Sequence, residues 1–98
     1  MKAYCYILFS PTLNRYYIGF THESLELRLQ KHNSGAYDNS FTSRIHDWEL
    51  YFSIECATIN QALGIEKHIK RMKSRRYIQN LKKYPTMVKQ LLARYKSN

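Results

Sequence analysis

The chain has 98 residues, enough for one domain over 1–98 and too few for two. Sixteen Lys and Arg against seven Asp and Glu give a net charge of +9, with 44% hydrophobic residues, three Gly and two Pro. Linkers, repeats and low-complexity stretches are excluded by that composition, and no apolar run approaches a membrane span. No signal-peptide pattern follows Met1, so the expected setting is soluble and cytoplasmic.

The predicted elements begin with a strand over Tyr4–Ser10, rich in Tyr, Ile, Leu and Phe and read as alternating. Pro11-Thr12-Leu13-Asn14 reads as a turn. Tyr16–Phe20 reads as a second strand, so the two should form an antiparallel hairpin. Ser24 is a good N-cap for a helix over Leu25–Asn33, with Gly35 placed to end it. Asn33–Asp47 is polar and irregular, a loop long enough in so small a domain to suggest function. Trp48–Cys56 reads as a third strand. Thr58-x-x-Gln61 is a capping box opening a helix from Ile59 to about Lys73. Ser74 caps a shorter helix through Tyr77 and Leu81, and Pro85-Thr86 starts a last one ending near Tyr95. The expected class is α+β, a small three-stranded, mainly antiparallel sheet flanked by helices in the order β-β-α-β-α-α-α.

Cys5 and Cys56 are far apart and lie in or beside apolar runs, which fits buried free thiols. The charge balance points to a polyanion, and with no lipidation signal that polyanion is nucleic acid. Lys67, Lys70, Arg71, Lys73, Arg75 and Arg76 fall in one basic stretch, suited to phosphate contact without sequence reading. A solvated helix face would look the same.

Glu66 is the only acidic residue from Ala57 onward, with eleven Lys and Arg following it. Ala62, Leu63 and Ile69 share its helix face, so its carboxylate should point inward. An inward carboxylate needs a partner, either a structural Lys or Arg or a Mg²⁺ ion. Arg28 and His32, four residues apart, share one helix face. They read either as a solvated pair or as a phosphate contact and a proton acceptor. Tyr6 and Tyr17 sit on the two hairpin strands and could converge; composition alone makes each a core Tyr. His22, His46 and His68 show no ligand spacing.

Tyr4-Cys5-Tyr6-Ile7-Leu8, Tyr16-Tyr17-Ile18-Gly19-Phe20-Thr21 and Leu27-Arg28-Leu29-Gln30-Lys31-His32-Asn33-Ser34-Gly35 together resemble the GIY-YIG nuclease domain. The resemblance covers nearly the whole chain. It is closest to small stand-alone bacterial members related to the N-terminal domain of excinuclease C. The second motif is intact as Tyr17-Ile18-Gly19, whereas Tyr4-Cys5-Tyr6 keeps only the Tyr of the first.

The resemblance implies a DNA endonuclease using Mg²⁺ or Mn²⁺. It assigns Tyr6, Tyr17, Arg28, His32 and Glu66 to catalysis, Glu66 as metal ligand, with Asn80 as a supporting residue. Phe20 departs from the pattern, because excinuclease members carry a Lys there; His32 is one residue that could fill that role. The substrate it implies is DNA; branch, flap, nick and plain duplex stay open, and the loop from Asn33 to Asp47, with Arg44 and Tyr37, is where selection of shape is expected. Two alternatives share the fold: a non-catalytic nucleic-acid-binding module, and a subunit active only with a protein partner.

Overall fold

The computed structural model describes residues 2–34 and 45–96. Three strands, β1 (Ala3–Ser10), β2 (Arg15–Thr21) and β3 (Glu49–Cys56), form a sheet in the order β2-β1-β3. Four helices follow the chain order expected: α1 (Leu25–Asn33), α2 (Ile59–Met72), α3 (Arg75–Lys83) and α4 (Pro85–Arg94). Both strand pairs are antiparallel.

β1 is central, and its sequence shows why. Ala3, Cys5 and Ile7 point to one face and pack with Ile54 and Cys56 of β3 and Ala62, Ile65 and Ile69 of α2. Tyr6 and Leu8 point to the other face and pack with Trp48 and, from α1, Leu25 and Leu29. A strand covered on both faces reads as a near-continuous apolar run. The alternation expected for β1 is therefore a correction: burial runs on both faces over Cys5–Leu8.

Capping fixes the helix starts. Ser24, Thr58 and Ser74 each accept a hydrogen bond from the backbone N–H three residues on. The Thr58–Gln61 box differs in detail. Gln61 Oε1 accepts from the Ala57 N–H at 2.8 Å, one residue earlier than a reciprocal box requires, and Gln61 Nε2 donates to the Leu92 carbonyl at 2.8 Å. One side chain thus ends β3, starts α2 and anchors α4.

Asp47 ties the far end of the long loop to the hairpin. Its carboxylate accepts from Ser10 Oγ at 2.6 Å and from the Thr12 N–H and hydroxyl at 2.9 and 2.6 Å, and these bonds hold it below the usual carboxylate range. Cys5 and Cys56 are free and buried, and burial pushes both thiols up, so neither is a ready nucleophile. Among the described residues no helix is long and apolar enough to cross a membrane. Gly35, Tyr37 and Arg44 lie outside the described residues.

Candidate active site

The hairpin brings Tyr6 opposite Gly19. β2 is an edge strand, and at Gly19 it presents no side chain. That gap is filled by the Tyr6 ring. A Cβ built on Gly19 would stand 2.5 Å from Tyr6 Oη and 2.6 Å from Cζ. Glycine is required here for close approach rather than for an unusual dihedral. Gly19→Ala should therefore displace the Tyr6 ring and cost about 1–3 kcal/mol of overpacking. A denaturant titration would show this as a lower midpoint at unchanged slope.

α1 supplies the partners of the Tyr6 hydroxyl. Arg28 Nη2 donates to Tyr6 Oη at 3.2 Å, and His32 Nε2 lies 3.0 Å from the same oxygen. The four-residue spacing that puts Arg28 and His32 on one face thus delivers both to one atom. Because Oη accepts from Arg28, its own proton is available to a His32 Nε2 that has no proton. The Tyr17 ring packs 5.0 Å from the His32 ring and 6.2 Å from Trp48, centroid to centroid.

His32 is 2% exposed. Burial, and secondarily the Arg28 charge, push its pKa down to about 4, so it is neutral near pH 7. This depression has a consequence for stability. Below about pH 6.5 the unfolded chain takes up a proton that folded His32 refuses until about pH 4. Stability should fall across that window, by at most roughly 3 kcal/mol for this group. His68, lowered by burial, Arg94 and Arg71, adds to the loss with the same sign. His32→Gln should flatten the pH dependence between pH 6.5 and 4 in chemical denaturation; an unchanged profile would remove His32 as its source.

Glu66 enters from α2. It is 7% exposed, on the face shared with buried Ala62, Ile65 and Ile69. Lys70 Nζ donates to Oε2 at 3.2 Å from the half-exposed side, an i,i+4 pair. Among the described residues no donor reaches Oε1. Glu66, Tyr6, Tyr17, Gly19, Arg28 and Glu23 line one open cavity of about 440 Å³.

Residues 2–83 match the family model of the GIY-YIG catalytic domain. The chain belongs to the GIY-YIG family. This is a nuclease-type hydrolase family whose members generally use divalent metals. No curated protein and no solved structure gives a significant match. The three-stranded sheet and the element order fit the family fold.

Within this GIY-YIG domain, the five residues singled out in the sequence stand close together. Tyr6, Tyr17, Arg28 and Glu66 line the cavity, and His32 supports it from behind through Tyr6 and Tyr17. Asn80 lies apart from that lining, half-buried on α3. The basic stretch fans out over several directions. Lys70 reaches Glu66, Arg71 donates to Tyr95 Oη at 3.1 Å, Arg75 binds Asn14, and Lys67, Lys73 and Arg76 are exposed.

Thr21, His22, Glu23 and Ile59 also line the cavity, and sequence reasoning gave none of them a place there. Glu23 is held by Lys31 Nζ, at 3.0 Å from Oε1 and 2.9 Å from Oε2, and that bonding keeps its carboxyl below its usual range. An eight-residue spacing along a bend and a helix offers no pattern to find this pair.

The donor set fits a divalent ion of the Mg²⁺ type. Such ions use one or two carboxylates and keep waters and substrate phosphate as the remaining ligands. Among the described residues no cluster of three or more His, Cys, Asp or Glu could hold a metal by itself. Glu66 would be the protein ligand.

Proposed function

We propose that the chain is a metal-dependent DNA endonuclease, hydrolysing phosphodiester bonds at the Tyr6–Glu66 cavity without reading sequence. The observation that supports it best is the Tyr6 hydroxyl, bonded to Arg28 and His32, in a cavity that Glu66 also lines.

A Mg²⁺ or Mn²⁺ ion at Glu66 would supply Lewis-acid stabilisation of charge on the phosphate and the leaving oxygen. The protein's own residues account for the remaining needs. Arg28 pairs with the scissile phosphate and holds it in the cavity. Tyr6 takes the proton of the attacking water, and the guanidinium at 3.2 Å stabilises phenolate character on Oη. His32 receives the Tyr6 proton through Nε2.

In the free chain His32 is a weak base, because burial and Arg28 depress it. A phosphate on Arg28 offsets the guanidinium charge and so relieves the smaller of the two causes, while burial continues to hold His32 low. Tyr17 closes the cavity beside His32 and orients the backbone of the bound strand.

The Lys70–Glu66 ion pair favours one rival reading, a non-catalytic DNA-binding module in which Glu66 is structural. Labelled single-stranded, duplex, flap and branched DNA, each incubated in Mg²⁺, Mn²⁺ or EDTA, separates the two. Cutting in metal but not in EDTA is expected, and the four rates rank substrate shape. Salt-sensitive binding with no cutting on any of the four would favour the module. Cutting only after a cell extract is added would favour a partner-dependent subunit.

A further inference from the structure

The opposite end of β2 holds a second concavity, of about 310 Å³. Arg15 and Tyr16 of β2, Lys73 and Ser74 of the α2–α3 junction, and Arg75 and Ile78 of α3 line it. Half of its lining residues are cations and none is acidic. Arg15 lies far in sequence from the basic stretch, and only the fold brings them together. Among the described residues no carboxylate forms an ion pair with Arg15, Lys73 or Arg75.

Two of these cations are placed by the backbone around them. Arg75 Nη1 donates to the Asn14 carbonyl at 2.5 Å, Nη2 donates to Asn14 Oδ1 at 2.9 Å, and the guanidinium lies 5.2 Å over the Tyr16 ring. A guanidinium held this way loses little further freedom when an anion arrives. Lys73 sits at φ 47°, ψ 43°, the left-handed conformation in which helices usually end on Gly. A side chain there is disfavoured relative to Gly, because its Cβ crowds the backbone. The position thus bears a conformational cost and places an ammonium in the concavity.

Both concavities lie along β2. Gly19 lines the first and Arg15 the second. Gly19 and Arg15 stand four residues of strand apart, about 13 Å, with Tyr17 of the first lining and Tyr16 of the second between them. That is about four nucleotide rises along one strand of a duplex. β2 is the sheet edge, so among the described residues no strand lies over the path between them.

We propose that Arg15, Lys73 and Arg75 bind a backbone phosphate of the DNA about four nucleotides from the cut. This rests on the nuclease reading above and deepens it. The substrate is then a polynucleotide spanning both ends of β2, rather than a dinucleotide or a free end.

The test compares the chain with an Arg15→Gln/Lys73→Gly double variant and a Lys89→Gln/Lys96→Gln control. The control removes the same charge from exposed positions on and after α4. Anisotropy of a labelled twenty-base-pair duplex in EDTA, over a salt series, reads binding without cutting. The double variant should bind about tenfold or more weakly at low salt, with a salt slope smaller by about 1, the share of one phosphate contact. The control should keep the slope of the unaltered chain. Lys73→Gly alone should match or exceed the unaltered chain in thermal stability, so lost binding is not lost folding.

Equal affinity and slope in the double variant and the unaltered chain would overturn the subsite, as would an equal drop in the control. If the unaltered chain meanwhile cuts DNA, the nuclease reading stands and only the subsite fails. If the unaltered chain binds no DNA at all, both fail.

Discussion

Glu66→Gln is expected to slow DNA cleavage by about a thousandfold while leaving DNA affinity within a few-fold. The substitution conserves shape and removes the charge best placed to hold a divalent ion. Burial of a neutral amide at 7% exposure against Ala62 and Ile69 is tolerable, so the fold should survive. Binding should hold or rise, because a negative charge leaves a strongly basic surface. The competing structural role makes the opposite prediction. An i,i+4 pair with half-exposed Lys70 contributes only a few tenths of a kcal/mol, so Glu66→Gln would then alter neither stability nor rate appreciably. Single-turnover cleavage beside anisotropy binding distinguishes the two.

Tyr6→Phe should be the second severe lesion. It deletes the one oxygen on which Arg28 and His32 both bond. Loss of a positioned general base lowers rates by about 10²–10⁴. Stability should fall by about 1–3 kcal/mol as well, because buried polar partners lose their acceptor and donor. Tyr17→Phe is the control. Among the described residues the Tyr17 hydroxyl makes no hydrogen bond, and its ring contacts with His32 and Trp48 would remain. Cleavage by Tyr17→Phe should drop about tenfold or less. A Tyr17→Phe variant that is dead while Tyr6→Phe is active would transfer the base to Tyr17.

Sequence alone reached the fold through local signals. Ser24, Thr58 and Ser74 mark helix starts because a side-chain oxygen satisfies an exposed N–H next to it in the chain. Glu66 could be read as inward because its neighbours at helical spacing are apolar, and the structure puts it at the wall of a cavity. Whether a cation or a metal would meet it was undetermined, since Lys70 also sits at helical spacing.

What escaped was non-local. Tyr51 is the extra residue of a bulge in β3, left without a partner in the β1–β3 register between Ile7–Phe52 and Leu8–Leu50, and no composition signal marks it. The bulge turns the Tyr51 ring to within 5.0 Å of Tyr16, across the central strand. The reason for Gly19 depends on the ring of Tyr6 from another strand. The gathering of Arg15 with Lys73 and Arg75 depends on how α2 ends against the hairpin. Side-chain roles that arise from such meetings cannot be read from the spacing of residues along one element.

The most direct test of the central claim is a cleavage time course on labelled flap DNA by the purified chain, in Mg²⁺ and in EDTA. A product ladder that grows in Mg²⁺ and is absent in EDTA is the expected result. Cleavage undiminished by EDTA would contradict the claim, because Tyr6, Arg28 and His32 would then be acting without any ion at Glu66.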